Sequence, residues 1–160
     1  MSEIFIPTND IIIPKGACAL ILRDGATGKI KSVDFLENMF VTAGKNSLAD
    51  GMRGTESNNK GIITYCAVGT SVVAPALGDI KLTTEIFRKL VSVRSVSGKV
   101  ATFQTFFTTA EANGSLREAG LFGDDASGTV DSGTLFAKLA INRVKSASDT
   151  LTMSWDITIG

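Results

Sequence analysis

Thr150-Leu151-Thr152-Met153-Ser154-Trp155-Asp156-Ile157-Thr158-Ile159 alternates a small polar or acidic residue with a large apolar one through ten consecutive positions. Successive side chains of an extended strand point to opposite faces of a sheet, so this segment predicts one apolar and one hydroxylated face. That is the pattern of an antiparallel strand with one side on a core and the other in water. Immediately upstream, Leu135, Ala137, Leu139 and Ile141 form one face of a second alternation, opposite Phe136, Lys138 and Ala140. The small and polar residues 142–148 between the two runs suit a hairpin-type connection.

Further strands follow from turn chemistry. Ser97-Gly98 separates the β-rich runs 86–96 and 99–108, and Asp24-Gly25-Ala26-Thr27-Gly28 separates 17–23 from 29–35. Both are hairpin signals, because Gly and Asp tolerate the positive φ that tight turns require. The β-branched and aromatic run 62–68 reads as a strand buried on both faces, followed by loop. One segment, 43–52, has apolar residues at helical spacing, with Thr42 placed to cap it and Gly44, Gly51 and Gly54 keeping it short. Strand signals about every ten residues predict an all-β protein, an antiparallel β-sandwich or jelly roll with one short helix. Residues 1–16 read as an extended N-terminal arm and 17–160 as a single β-sandwich domain. In the arm, Ile4, Phe5, Ile6, Ile11, Ile12 and Ile13 are apolar, and Pro7 and Pro14 deny a helix. Two readings stand for it: an edge strand of its own domain, or a strand added to a neighbouring subunit by main-chain pairing.

Composition removes several function classes. The chain has 160 residues, no histidine, and 16 Lys+Arg against 16 Asp+Glu. Without imidazole there is no Ser-His or Cys-His nucleophile pair and no His ligand for zinc. Zero net charge offers no field for a phosphate backbone, so nucleic acid is not an expected partner. Cys18 and Cys66 lack metal or redox spacing and read as two buried thiols of a protein made in a reducing cytoplasm. The amino terminus lacks the basic and apolar segments of a signal peptide. The uncharged stretch 61–78 is broken by Gly and Pro75, so it does not read as a membrane helix and no membrane partner is expected.

No catalytic motif emerges. Gly44-Lys45-Asn46 lacks the leading Gly and the Ser or Thr of a phosphate loop, and Ser71 has no base to activate it. Asp124, Asp125 and Asp131 fail the spacing of a calcium loop and read as a solvated hairpin tip. Glu111 and Glu118 have no feature that marks them as a hydrolytic pair. No cofactor or metal is implied, and we expect no catalysis. Adjacent Arg117 and Glu118 point to opposite faces of a strand and cannot pair with each other. Each is either solvated or paired across strands, or one of them is buried and fixes a register or a subunit contact. Gly120 then marks a bulge or a close approach of backbone.

Ala67-Val68-Gly69-Thr70, Pro75, the set Leu82, Glu85 and Arg88, then Arg117-Glu118-Ala119-Gly120-Leu121-Phe122 and Leu135-Phe136-Ala137 occur in an order and spacing that matter together. Over about residues 61–141 they resemble the conserved region of tailed-bacteriophage tail-collar fibre proteins and related small virion proteins. The resemblance implies a virion structural protein made in the host cytoplasm. It implies self-association, commonly as a homotrimer, and docking on tail, neck or baseplate as a short fibre or fibre-attachment component. The chain ends one strand after the matching region, where a fibre continues into a shaft. That departure raises the alternative of a capsid decoration protein that clamps the major capsid protein, with a glycan-binding module as a third reading. Interface residues expected on these readings are Ile4, Phe5, Ile6, Ile11, Ile12, Ile13, Arg117 and Glu118.

Overall fold

A computed structural model describes residues 14–54 and 60–160. The chain forms β1 (Pro14–Asp24), β2 (Ile30–Phe40), α1 (Thr42–Arg53), β3 (Ile63–Gly69), β4 (Glu85–Leu90), β5 (Val93–Ser97), β6 (Val100–Phe107), β7 (Gly114–Gly123), β8 (Thr134–Lys145) and β9 (Asp149–Ile159). All strand pairs are antiparallel, in the order β4-β3-β7-β8-β2-β1-β9-β6-β5. The nine strands curl into a sandwich-like body, as the alternating patterns predict. The arm residues Ile4, Phe5, Ile6, Ile11, Ile12 and Ile13 lie outside the described residues. Pro14, Lys15 and Gly16, the last three residues of the 1–16 segment, belong to β1, where Pro14 pairs with Ile159.

Two short passages of chain turn the sheet over. Met39 and Phe40 at the end of β2 leave the partnership with β1 and pair with Lys138 and Ala137 of β8. At the far ends of the sheet, β4 and β5 are separated by two residues. Val91 N–H donates to Thr64 O of β3 and Ser92 N–H donates to Gln104 O of β6. The run 86–96 is therefore two strands, because the chain changes layer between Val91 and Ser92. Its hairpin with 99–108 stands, closed by Gly98 at φ 56° with Ser97 opposite Val100.

The β1–β2 hairpin also stands. Asp24 Oδ1 accepts from Ala26 N–H, Thr27 N–H and Thr27 Oγ1, so the carboxylate folds the turn. The expected hairpin through 142–148 does not form. β8 runs on to Lys145, and β8 and β9 then pair with different strands, β7 and β2 for one, β1 and β6 for the other. The two runs lie in opposite layers of the sandwich, joined by a corner at residues 146–148.

Asp149 makes that corner. It accepts from Ser146 N–H at 2.9 Å and Ser146 Oγ at 2.8 Å, and its Oδ1 meets Lys31 Nζ at 2.6 Å. Lys31 and Ser146 together hold its carboxyl down at about 2. A carboxylate whose folded value is depressed stabilises the fold above its unfolded value near 4 and loses that contribution as pH falls through its folded value. Urea midpoints should therefore fall between about pH 4 and pH 2. Asp149→Asn should lower stability at pH 7 by about 1 kcal/mol and shallow that acid limb. An unchanged limb in the variant would place the acid sensitivity elsewhere.

The sandwich interior holds Cys18, Leu20 and Leu22 of β1, Leu151, Met153, Trp155 and Ile157 of β9, and facing residues of β3, β7 and β8. Cys18 and Cys66 are free and buried here, and burial pushes the Cys66 thiol up to about 12. A second, smaller apolar cluster of Val41, Ala67, Leu82, Phe122 and Leu135 sits on the outer side of the layer containing β3, β7 and β8. Leu135 thus parts from Ala137, Leu139 and Ile141, with which its alternation groups it. The pairing jumps from Leu121↔Ala137 to Phe122↔Leu135, and the extra residue, Phe136, puts its carbonyl on Val41 N–H.

Candidate assembly surface

The residues 70–84 that follow β3 make no strand, yet their backbone is pinned at several points. Thr70 N–H donates to Thr84 O at the base, and Thr42 N–H at the start of α1 donates to Leu77 O. Asp79 Oδ2 accepts from Ala76 N–H at 2.9 Å, closing a turn within the loop. Leu82 is fully buried and drops into the outer cluster beside Gly120. A Cβ on Gly120 would stand 2.9 Å from Leu135 Cδ1 and 3.0 Å from Leu82 Cδ2, so Gly120 is the close approach its sequence context predicts.

Glu118 completes the clamp. The side chain is 1% exposed and accepts from Thr83 N–H at 2.9 Å and Thr84 N–H at 2.6 Å. Two backbone donors that no strand pairs are thereby satisfied by a carboxylate from β7. Lys138 of β8, equally buried, lies 3.6 Å from Glu118 Oε2, 3.0 Å from Asp79 Oδ2 and 3.3 Å from Thr83 Oγ1. One ammonium thus bridges a strand carboxylate to a loop carboxylate. Of the Arg117–Glu118 pair, Glu118 is the buried member that fixes the surrounding structure. Arg117 is half-buried and donates to Leu116 O, a main-chain contact one residue away.

A second ionic group holds the neighbouring 124–133 loop. Arg88 pairs with Glu85 through both carboxylate oxygens and donates from Nη1 to Ser127 O, Ser132 O and Ser132 Oγ. Its guanidinium lies 4.5 Å from the Phe122 ring centroid, a stacked cation over an aromatic face. The two loops are tied to each other by Lys81 Nζ and Asp131 Oδ2 at 3.2 Å. Asp124, read from sequence as part of a solvated tip, is buried. It accepts Ser47 Oγ at 2.7 Å and Gly61 N–H at 3.0 Å, with Lys60 Nζ at 3.6 Å, and so fastens α1 to the sheet. Asp125 and Asp131 are the exposed turn residues of the three acids, Asp131 at φ 62°. Glu111 has its own partners, Lys89 Nζ at 2.7 Å and Thr108 N–H at 2.9 Å, and these together hold its carboxyl below the usual range against the opposing effect of burial. The two glutamates thus serve separate structural contacts.

The clamp leaves apolar side chains projecting. Val72 is 81% exposed and Ile80 69%, with Val73 and Leu77 also exposed on the same loop. On the opposite layer, the outward-facing residues of β1, β2 and β9 are half-buried or exposed. There Thr102 Oγ1 meets Asp156 Oδ1 at 2.6 Å, and Phe35 on β2 is 83% exposed. Trp155 is fully buried in the core and Tyr65 is half-buried with Arg88 5.9 Å from its ring, so neither presents an open face for stacking a sugar. Val72, Val73, Leu77 and Ile80 thus project from a loop tethered at Thr70, Leu77, Asp79, Leu82, Thr83 and Thr84. Ordering costs are lower when a contacting loop is already fixed. Sequence reading reached Glu118, Arg88, Leu82 and Gly120 but missed Lys138 and Asp79, whose spacing carries no motif. The exposed Val72, Val73, Leu77 and Ile80 are ordinary loop residues until the clamp is seen.

No protein-family model, no curated protein and no solved structure matches this chain.

Proposed function

We propose that the chain is a non-catalytic structural protein of a tailed-phage virion, a short tail-fibre or fibre-attachment component that self-assembles and docks on the particle. The supporting observation is the convergence of Gly69, Leu82, Glu85, Arg88, Glu118 and Gly120 on the two clamped loops. These six, a part of the residues that carry the resemblance to tail-collar fibre proteins, are far apart in sequence and meet beside the same two loops. Apolar side chains held outward on one of those loops, those of Val72 and Ile80, supply the means of attachment.

Quantifying the chain in purified particles of the phage that encodes it tests the reading. A few dozen copies per particle, and a mass near three times 16.8 kDa for the isolated protein in sedimentation equilibrium, is the expected result. Amounts near those of the major capsid protein would move it to the decoration role. Absence from particles would remove it from the virion altogether.

A further inference from the structure

The two ends of the sheet differ. β4 carries Glu85, Arg88 and Lys89, its pairing with β3 shifts register between Val68 and Gly69, and Glu85 Oε2 accepts Asp131 N–H at 3.2 Å from the 124–133 loop. Charge, a bulge and a tied loop are devices that keep an edge strand from pairing further. β5, at the other end, has a single charge, Arg94, no proline and an unbroken register with β6. All of its residues are exposed, Val96 at 75%. Among the described residues β6 is its one strand partner.

The register fixes which main-chain groups of β5 are free. Lys99 O accepts Ile159 N–H, so Lys99 faces β9, and alternation along β6 turns Val100, Thr102 and Gln104 toward β5. Gln104 O accordingly accepts Ser92 N–H. Their partners Ser97, Ser95 and Val93 direct N–H and C=O groups to β6. Arg94 and Val96 therefore direct theirs away from the sheet.

We propose that β5 of a second copy pairs with this edge, antiparallel about a two-fold axis through Ser95. In that register Arg94 stands opposite the partner's Val96 and Val96 opposite the partner's Arg94, and each pair exchanges both main-chain bonds through the groups left free. Charge selects this register. Sliding the strands one way places Arg94 opposite the partner's Arg94, a like-charge contact that opposes pairing, and sliding them the other way leaves Arg94 opposite the turn residue Gly98. The stem of each Arg94 lies along the partner's Val96 while its guanidinium stays in water. An isologous contact of this kind closes on itself, so sheets join in pairs without growing further. With five residues a side against the roughly 20–30 of a standard interface, it is weak in dilute solution and leaves the threefold association proposed above undisturbed. It forms where copies are crowded, and it stands whether or not the chain belongs to a virion.

Single cysteines in the full chain under mild oxidation test the contact. Ser95→Cys sits on the axis, in a non-hydrogen-bonded pair whose Cα atoms are about 4.5 Å apart, within disulfide reach. Native Cys18 and Cys66 are buried and do not compete. Ser95→Cys should form covalent dimers several-fold faster than Asp125→Cys, an exposed turn control, and than Val93→Cys or Ser97→Cys alone. A mixture of Val93→Cys and Ser97→Cys should cross-link one variant to the other, because those positions stand opposite in this register. Val96→Pro, added to Ser95→Cys, removes an outward N–H and no bond to β6, so it should return the rate to that of the control while circular dichroism stays that of the folded protein. Ser95→Cys dimers forming no faster than the control would leave the edge to another occupant and overturn the proposal. A rate that Val96→Pro does not lower, or fast dimers of Val93→Cys by itself, would overturn it as well.

Discussion

Glu118→Ala is expected to destabilise the fold by about 3–5 kcal/mol, the cost of removing one partner from a buried ionic group. Three groups are affected at once. Thr83 N–H and Thr84 N–H donate to this carboxylate, and Lys138, 1% exposed, loses one of its two carboxylates. Thr83 and Thr84 are exposed residues whose freed N–H groups can turn to water, so most of the loss falls on Lys138, left buried with one carboxylate in place of two. The neighbouring Arg117→Ala should cost under about 0.5 kcal/mol, because its side chain donates to the carbonyl of Leu116 next to it. Chemical denaturation of both variants decides the matter. Equal small losses would mean that the loop 70–84 is held by Leu82 and main-chain contacts, and the clamp would lose its electrostatic half.

The contrast between those adjacent residues also marks how far the sequence can be read. Period-two alternation in 150–159 identifies β9 because the pleat imposes it on any strand with one wet face. The turns at Asp24 and Gly98 are legible for the same local reason: a carboxylate that bonds its own backbone, and a residue without Cβ at φ 56°. What is not legible is set between distant segments. The passage of the chain from one layer to the other at Val91-Ser92 depends on Thr64 and Gln104, and nothing in the run 86–96 announces it. The bulge at Phe136 reverses the face of Leu135 for a reason that lies in β7 and at Val41. Asp124 reads as turn chemistry because Asp-Asp-Ala-Ser-Gly is turn chemistry; its burial comes from Ser47 and Gly61, far along the chain. The candidate site divides the same way. Glu118 stands out as a charge inside an apolar strand, but its partners are backbone N–H groups, which every residue type supplies. Thr42, the side chain that the sequence places to cap α1, is instead the first helical residue, and the N-cap Val41 makes no side-chain cap bond. Its N–H is fixed by Phe136 O instead, so tertiary contact replaces local capping.

Gly44→Ala is expected to destabilise the protein by about 1–3 kcal/mol, against the direction that helix propensity predicts. In an isolated helix the change gains about 1 kcal/mol, since alanine loses less backbone entropy on folding than glycine. Here a Cβ would stand 2.5 Å from Phe136 Cα and 2.7 Å from Phe136 O, both main-chain atoms that cannot rotate away. The helix would have to lift, and its tethers resist: Val41 N–H on Phe136 O, Thr42 N–H on Leu77 O, and Ser47 Oγ on Asp124. Gly51, two turns on, meets Lys60 O at 2.6 Å from its own Cβ position, so the close approach extends along the whole buried face of α1. Gly51→Ala alone should also destabilise, and the double variant should lose less than the sum, because a helix already lifted by one methyl has made room for the second. Thermal unfolding of the three variants gives the answer. A Gly44→Ala protein more stable than the parent would mean that α1 floats on the sheet, and that the glycines shorten the helix without setting its distance from β8.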